Sequence, residues 1–302
     1  MATGSDQALN ASVVLTGASS QIGVFAIDRL LSAGFYVQAL SRNGKPDSWP
    51  DHPQVGWFKP DEWQNQRQDS RFLLSAGPMD VALQILENNI PIETAVVFSS
   101  SSVHSKTDSD NRLEKDQVRA MLAVQSKLRR LADERSIKLL ILKPTMIYGC
   151  GLDTNITQLA GWIRRFGFMP INGHAEGLRQ PVHAEDLATL AVAALNSQAE
   201  LPAELLLAGG ETLSYREMVS RIFMAQGKTA RFVRLPQWLF VLLVRFVSAI
   251  KPGLKINAEM VKRQKTDLVF DDGPARQLLA YEPRPFTLAE SDFRLPRFDQ
   301  LF

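Results

Sequence analysis

The 302-residue sequence has little of what usually marks a metal centre or a disulfide scaffold. Cys150 is the one cysteine, so no intrachain disulfide can form, and a reducing compartment is expected. The four histidines, at 52, 104, 174 and 183, have no metal-ligand spacing, and no metal is expected. A Gly-x-Ser-x-Gly elbow is absent, which argues against an α/β-hydrolase. Charge of one sign is missing too: 34 basic residues against 32 acidic ones leave +2. That balance gives no reason to expect nucleic acid or an anionic membrane as partner. The most apolar run, Trp238–Val244, is cut by Arg245, far short of the roughly 20 residues that span a bilayer. The polar start, Met1–Ser12, lacks the basic and then apolar order of a signal peptide. Together these absences point to a cytoplasmic protein without an integral membrane segment.

What is present is a strand–helix rhythm over the first 145 residues, the mark of parallel βαβ units. Ser12–Thr16 is a short β-branched run. Ile22, Ala26, Ile27, Leu30 and Leu31 follow at helical spacing, with Gly34 as the stop. Further strands are expected at Tyr36–Leu40, Val55–Phe58, Phe72–Leu74 and Ala95–Phe98. A long helix follows, with Val118, Met121, Leu122, Leu128 and Leu131 on one side. A sixth strand, Ile137–Leu142, is expected to stop at Lys143-Pro144. The predicted fold class is α/β, a Rossmann-type doubly wound parallel sheet over residues 1–150 with a smaller C-terminal α/β cap over 151–302. The chain is expected to return to the nucleotide domain around 180–197. Cap helices are expected at Thr157–Phe166, Ala184–Leu195 and Ala258–Gln264, with a strand at Leu205–Leu207. The Ser214–Glu217 capping box opens another helix through Met224. Trp238–Ile250, apolar at helical spacing, reads as a buried cap helix or as a membrane-surface or partner-docking helix.

Thr16-Gly17-Ala18-Ser19-Ser20-Gln21-Ile22-Gly23 sits where the first strand turns into the first helix. Gly17 permits the tight turn and Gly23 lets the helix approach the strand. The helix-start amides then favour a pyrophosphate. The second strand ends at Ser41-Arg42, and no Asp or Glu occurs between Asp28 and Asp47. The acidic partner of an NAD ribose is thus missing, and an arginine suited to a 2′-phosphate stands in its place. NADP is therefore expected, with NAD still open; the alternative is that Arg42 is a solvated surface residue.

These residues resemble the extended branch of the short-chain dehydrogenase/reductase superfamily, the NAD(P)-dependent epimerases and dehydratases. Thr16-Gly17 and Gly23 match its cofactor loop, and Ser75-Ala76-Gly77 the loop beside the cofactor. Phe98-Ser-Ser-Ser-Ser-Val103 matches the serine-rich end of strand five, and Ser126-Lys127 the active-site helix. Lys143-Pro144-Thr145-Met-Ile-Tyr148-Gly149 is similar to the segment beside the nicotinamide. Pro181-Val-His183-Ala-Glu-Asp186 is similar to the return to the nucleotide domain. The resemblance implies that Ser19, Ser20, Gln21, Ile22, Ser41, Arg42, Ala76, Gly77, Lys127 and Pro144 touch the cofactor, as well as Gly17 and Gly23. It implies that Ser100 orients a substrate oxygen and that Lys127 holds the cofactor ribose. It also allows a nucleotide sugar as the small-molecule substrate and a homodimer through the long helix.

The chain departs from the family pattern at two positions. Ser20 stands where the family usually has a third glycine. More consequentially, the family's Tyr-x-x-x-Lys reads Ala123-Val-Gln-Ser-Lys127. The missing phenol would take the proton from a substrate hydroxyl as hydride leaves, and losing such a group costs about 10²–10⁴-fold in rate. His104 and Tyr148 are the candidate replacements. His183 and Asp186 are expected to tie the cap to the nucleotide domain. Two functions remain open: an oxidoreductase or nucleotide-sugar epimerase/dehydratase-like enzyme with an altered site, or a non-catalytic NADP(H)-binding sensor, assembly factor or structural subunit.

Overall fold

A computed structural model describes residues 11–66, 69–88, 90–107, 109–236, 238–239, 242 and 258–295. The first half runs β1 (Ser12–Thr16), α1 (Gly23–Ser32), β2 (Tyr36–Leu40), β3 (Val55–Phe58), α2 (Pro60–Gln66), β4 (Phe72–Ser75) and α3 (Met79–Glu87). It continues with β5 (Thr94–Phe98), α4 (Ser102–Ser105), α5 (Arg112–Arg135) and β6 (Lys138–Pro144). Beyond it come β7 (Ile147–Tyr148), α6 (Ile156–Phe166), β8 (Met169–Asn172), β9 (Leu178–Arg179), β10 (Val182–His183) and α7 (Ala184–Leu195). Then follow β11 (Glu204–Leu207), β12 (Leu213–Ser214), α8 (Tyr215–Ala225), β13 (Phe232–Leu235) and helices at Ala258–Arg263 and Gly273–Leu279.

Seven strands make the main sheet in the order β11-β6-β5-β4-β1-β2-β3. Every pairing within it is parallel. The order therefore reverses between β1 and β4, where a doubly wound sheet opens a crevice at its carboxyl edge. Helices cover both faces, because a parallel sheet must be buried on each side. One apolar layer joins Ile27 and Leu30 of α1 to Leu187 and Ala191 of α7, over Leu15, Leu74 and Val96. The other joins Leu83 and Leu86 of α3 to Leu128 and Ala132 of α5, over Val14, Leu73 and Val97. A third apolar centre lies in the cap, where Ile163, Ile171, Val219, Ile222 and Phe223 pack around Phe286.

Three expectations are corrected. β6 continues through Lys143 and Pro144 instead of stopping before them. At a strand's last residue a missing N–H is tolerated, and the Pro144 carbonyl still accepts from Ser101 N at 3.0 Å. The return to the nucleotide domain is longer than 180–197: it includes β11 as the sheet's edge strand, with helix Gly273–Leu279 packed against the same layer. Of the side of α5 expected to face inward, Leu122 is exposed, because the buried stripe runs through Val118, Gln125, Leu128 and Ala132. The expected Trp238–Ile250 helix lies largely outside the described residues. Its described members are helical, and Trp238 and Leu242 face solvent rather than a core.

Candidate dinucleotide and active site

β1 and β4 end side by side, with Thr16 registered on Ser75 and its hydroxyl donating to Ser75 Oγ at 2.9 Å. The loops that follow are pressed together. Gly17 has φ +65°, and a Cβ there would lie 2.5 Å from the Gly77 nitrogen. A Cβ on Gly23 would fall 2.1 Å from the Gly17 carbonyl oxygen. Both positions accept only glycine, for backbone reasons. Ser20, standing where the family pattern has a glycine, ties the two loops: its hydroxyl donates to Ala76 O (2.9 Å) and accepts from Gly23 N (3.1 Å). Ser19 Oγ and Ser41 Oγ lie 2.9 Å apart, joining the loop to the end of β2.

This arrangement leaves donors free at the start of α1. The amides of Ser19, Gln21 and Ile22 have no hydrogen-bond partner among the described residues, and the buried Gln21 Oε1 has none either. No acidic residue occupies the first turn of α1. Unpaired amides at a helix start, next to a cradle that any Cβ would fill, fit a diphosphate. Arg42 is exposed at the end of β2, without a hydrogen bond or ion pair among the described residues. It is available to a phosphate. Among the described residues no group of metal-ligating side chains occurs.

At the active-site edge, the serine run extends the pairing of β5 with β6: Ser99 N donates to Leu142 O and Ser101 N to Pro144 O. Ser100 is half-buried, and its hydroxyl accepts from Ser102 N at 3.1 Å. Ala123 and Lys127 share the exposed face of α5, opposite the buried stripe, and Lys127 has no hydrogen bond or ion pair among the described residues. No polar contact joins Lys127 to Ser100. The α5 side chain that reaches the serine run is Gln125, fully buried, with Nε2 donating to Ser99 Oγ at 2.7 Å. Its Oε1 is buried without a partner. Sequence polarity hides Gln125, although its spacing from Val118, Leu128 and Ala132 places it on the inward stripe.

The two candidate replacements for the tyrosine differ sharply. Tyr148 is fully buried between His183 and Phe286, with ring centroids 5.1 and 5.0 Å away, and burial pushes its phenol pKa well above the ordinary value. A phenol that resists ionisation is no base near neutral pH. His104 is exposed, 6.3 Å from the Phe270 ring, and stays accessible to solvent.

His183 caps α7, its Nδ1 accepting from Glu185 N at 3.2 Å, which leaves Nε2–H to meet Asp292 Oδ1 at 3.3 Å. Gly149 (φ +104°) must be glycine there, because a Cβ would sit 2.6 Å from His183 Nε2. Asp186 accepts from Arg284 N and Nε at 2.9 and 2.8 Å. Both residues thus join the start of α7 to the C-terminal stretch at Arg284 and Asp292. A tie not foreseen joins α5 to the helix at Ala258–Arg263. The buried Glu114 carboxylate holds Arg263 in two hydrogen bonds of 2.9 and 2.7 Å.

No protein-family model matches the chain. The UDP-glucose 4-epimerase of Vibrio cholerae is 22% identical over 225 residues, which is 72% of this chain and 65% of that enzyme's length. Among solved structures, a UDP-glucuronic acid 4-epimerase from Bacillus cereus, in complex with UDP-glucuronic acid and NAD, superposes with a TM-score of 0.68. It is 16% identical and covers 96% of this chain and 100% of its own. A UDP-N-acetylglucosamine 4-epimerase from Methanobrevibacter ruminantium reaches 0.69 at 13% identity, covering 96% and 98%. A dTDP-glucose 4,6-dehydratase from Bacillus anthracis, in complex with NAD, reaches 0.66 at 12% identity, covering 96% of each chain. The chain thus shares its fold with these nucleotide-sugar epimerases and dehydratases, and its sequence is similar to that of a UDP-glucose 4-epimerase.

Proposed function

We propose that this chain binds a pyridine dinucleotide, NADP(H) in preference to NAD(H), across the carboxyl ends of β1 and β4. The observation that carries this is the closed Gly17–Gly77 contact beside the unpaired amides of Gln21 and Ile22. In this assignment Gly17, Ser19, Ser20, Gln21, Ile22 and Gly23 surround the pyrophosphate. Ser41 and Arg42 take the adenosine ribose and its 2′-phosphate. Ala76 and Gly77 flank the cofactor, Pro144 borders the nicotinamide, and Lys127 is assigned to its ribose. The NAD in the Bacillus structures supports the cofactor class, and Arg42 supports the extra phosphate.

The substrate we assign is a small molecule of the nucleotide-sugar kind, held between the sheet edge and the cap. A bound nicotinamide would supply hydride exchange with a carbon bearing a hydroxyl or carbonyl. The Ser100 hydroxyl would donate to that oxygen. Ala123 has no atom that can hold a proton, so proton movement falls to water or to the accessible His104 imidazole. A homodimer, where it forms, would use the exposed face of α5 that carries Leu122.

One observation favours a second function, a non-catalytic NADP(H)-binding sensor, assembly factor or structural subunit. Ala123 replaces the phenol, and Tyr148 is sealed in the core. Fluorescence titration of NADPH tests binding, and nicotinamide absorbance with a panel of nucleotide sugars tests turnover. Binding with turnover supports the enzyme, and binding without turnover across the panel supports the second function. A folded protein that binds no dinucleotide excludes both.

A further inference from the structure

The overall charge balance conceals an uneven distribution. At one end of the cap, between Asn155 and Ala175 and again between Gln226 and Leu239, the chain carries Arg164, Arg165, Lys228, Arg231 and Arg234 and no Asp or Glu. The fold brings these two stretches together. Lys228 Nζ donates to the carbonyls of Ile163 and Arg164 at the end of α6, at 3.2 and 3.1 Å. β13 pairs with β8, setting Phe232 beside Met169. All four arginines are exposed, and none makes an ion pair among the described residues.

The same end carries large apolar side chains in water. Trp238 is 70% exposed, Met224 64% and Leu242 58%, with Phe166 and Val233 also open. Trp238 and Leu242 are both in helical backbone and both open to solvent. Single exposed hydrophobics are ordinary, but a cluster rimmed by one sign of charge marks a docking surface. Tryptophan beside arginines is the chemistry of a membrane interface, where the ring sits at headgroup depth and the guanidinium groups meet phosphate.

We propose that this end of the cap docks on the surface of an anionic lipid bilayer. The excess of cations with no acidic residue in either stretch selects a negatively charged surface. The apolar residues are enough for peripheral contact, and among the described residues no helix is long and apolar enough to cross a membrane.

Co-sedimentation of the full chain with vesicles tests the proposal, comparing pure phosphatidylcholine with a mixture containing phosphatidylglycerol. The expected result is retention on the anionic vesicles only, reversed by high salt. The double variant Arg231→Glu, Arg234→Glu should lower the partition coefficient by about thirtyfold or more, since each cation near such a surface is worth about a factor of five. Trp238→Ser should weaken retention while leaving the melting temperature unchanged. Equal retention on both vesicle types, retention on neither, or an unaffected charge variant overturns the proposal. So does a concentration-dependent dimer that Trp238→Ser abolishes, in place of lipid retention.

Discussion

Replacing Gly17 by alanine strains the proposed nucleotide cradle at its tightest point. The residue sits at φ +65°, where a side chain costs roughly 1–2 kcal/mol. The new Cβ would also lie 2.5 Å from the Gly77 nitrogen and must retreat by about 0.9 Å to reach ordinary contact at 3.4 Å. Both partners are backbone, and the registered pair Thr16–Ser75 fixes the strands just before them. No flexible side chain can yield, so the two loops must part. Gly167→Ala provides the control: φ is +74° there, but nothing lies within 4 Å of the added Cβ. That variant meets only the left-handed backbone cost, a fall in melting temperature of roughly 1.5–3 °C for a chain of this length. Gly17→Ala should fall further, and its NADPH affinity should drop at least about tenfold as the amides of Gln21 and Ile22 turn away. Thermal melting followed by circular dichroism, with NADPH titration on the same samples, measures both. Equal melting temperatures for the two variants, with unchanged affinity in Gly17→Ala, would refute the argument.

Three further outcomes follow from the same geometry. Arg42→Ala should weaken NADPH by roughly 10–150-fold, the value of a charge-assisted hydrogen bond to phosphate, and leave NADH nearly unchanged; equal losses in competitive titration would remove Arg42 from the 2′-phosphate. Glu114→Ala leaves Arg263 largely buried without its carboxylate and should cost roughly 3–5 kcal/mol in denaturant unfolding, whereas a loss below about 1 kcal/mol would show that cap and α5 are held by other contacts. Burial pushes the Cys150 thiol up to about 12. Its thiolate should therefore be scarce at pH 8, and iodoacetamide should label the native protein at least about 100-fold more slowly than the unfolded one. Because the unfolded thiol ionises near its ordinary value while the folded one does not, this contribution to stability is present below about pH 9 and is lost as pH climbs towards 12. Fast labelling of the native state would place Cys150 at the surface.

The first half of the fold was legible because its signals are local. A strand, a glycine turn and an amphipathic helix from Ser12 to Ser32 are each written within a few residues. α7 was legible end to end for the same reason, with His183 capping it and Asn196 closing it. The short elements were not. β7 and β10 have two residues each and exist because Ile147–Tyr148 and Val182–His183 pair across the chain, a tertiary fact with no local pattern. α3 follows Pro78 and spans only nine residues, too short for its periodicity to stand out.

The candidate site divides in the same way. Gly17 and Gly23 could be read because glycine at a strand-to-helix turn has a steric reason that sequence order already suggests, whereas Gly77 came by resemblance. Gln125 and Glu114 could not, because polar residues on a helix are expected in water, and only the packing of α5 turns them inward. Lys127 was placed by resemblance alone. The structure sets it on the exposed face of α5, so its contact with a ribose is a claim about the loaded protein.

The most direct test of the central claim is nitrogen-15 amide spectroscopy of the protein titrated with NADP+. Saturable shifts of the Gln21 and Ile22 amides, with smaller ones at Ser19 and Gly77, are predicted, because these donors have no partner until a diphosphate arrives. Folded protein whose Gln21 and Ile22 signals stay fixed at saturating NADP+ and NAD+ would contradict the claim.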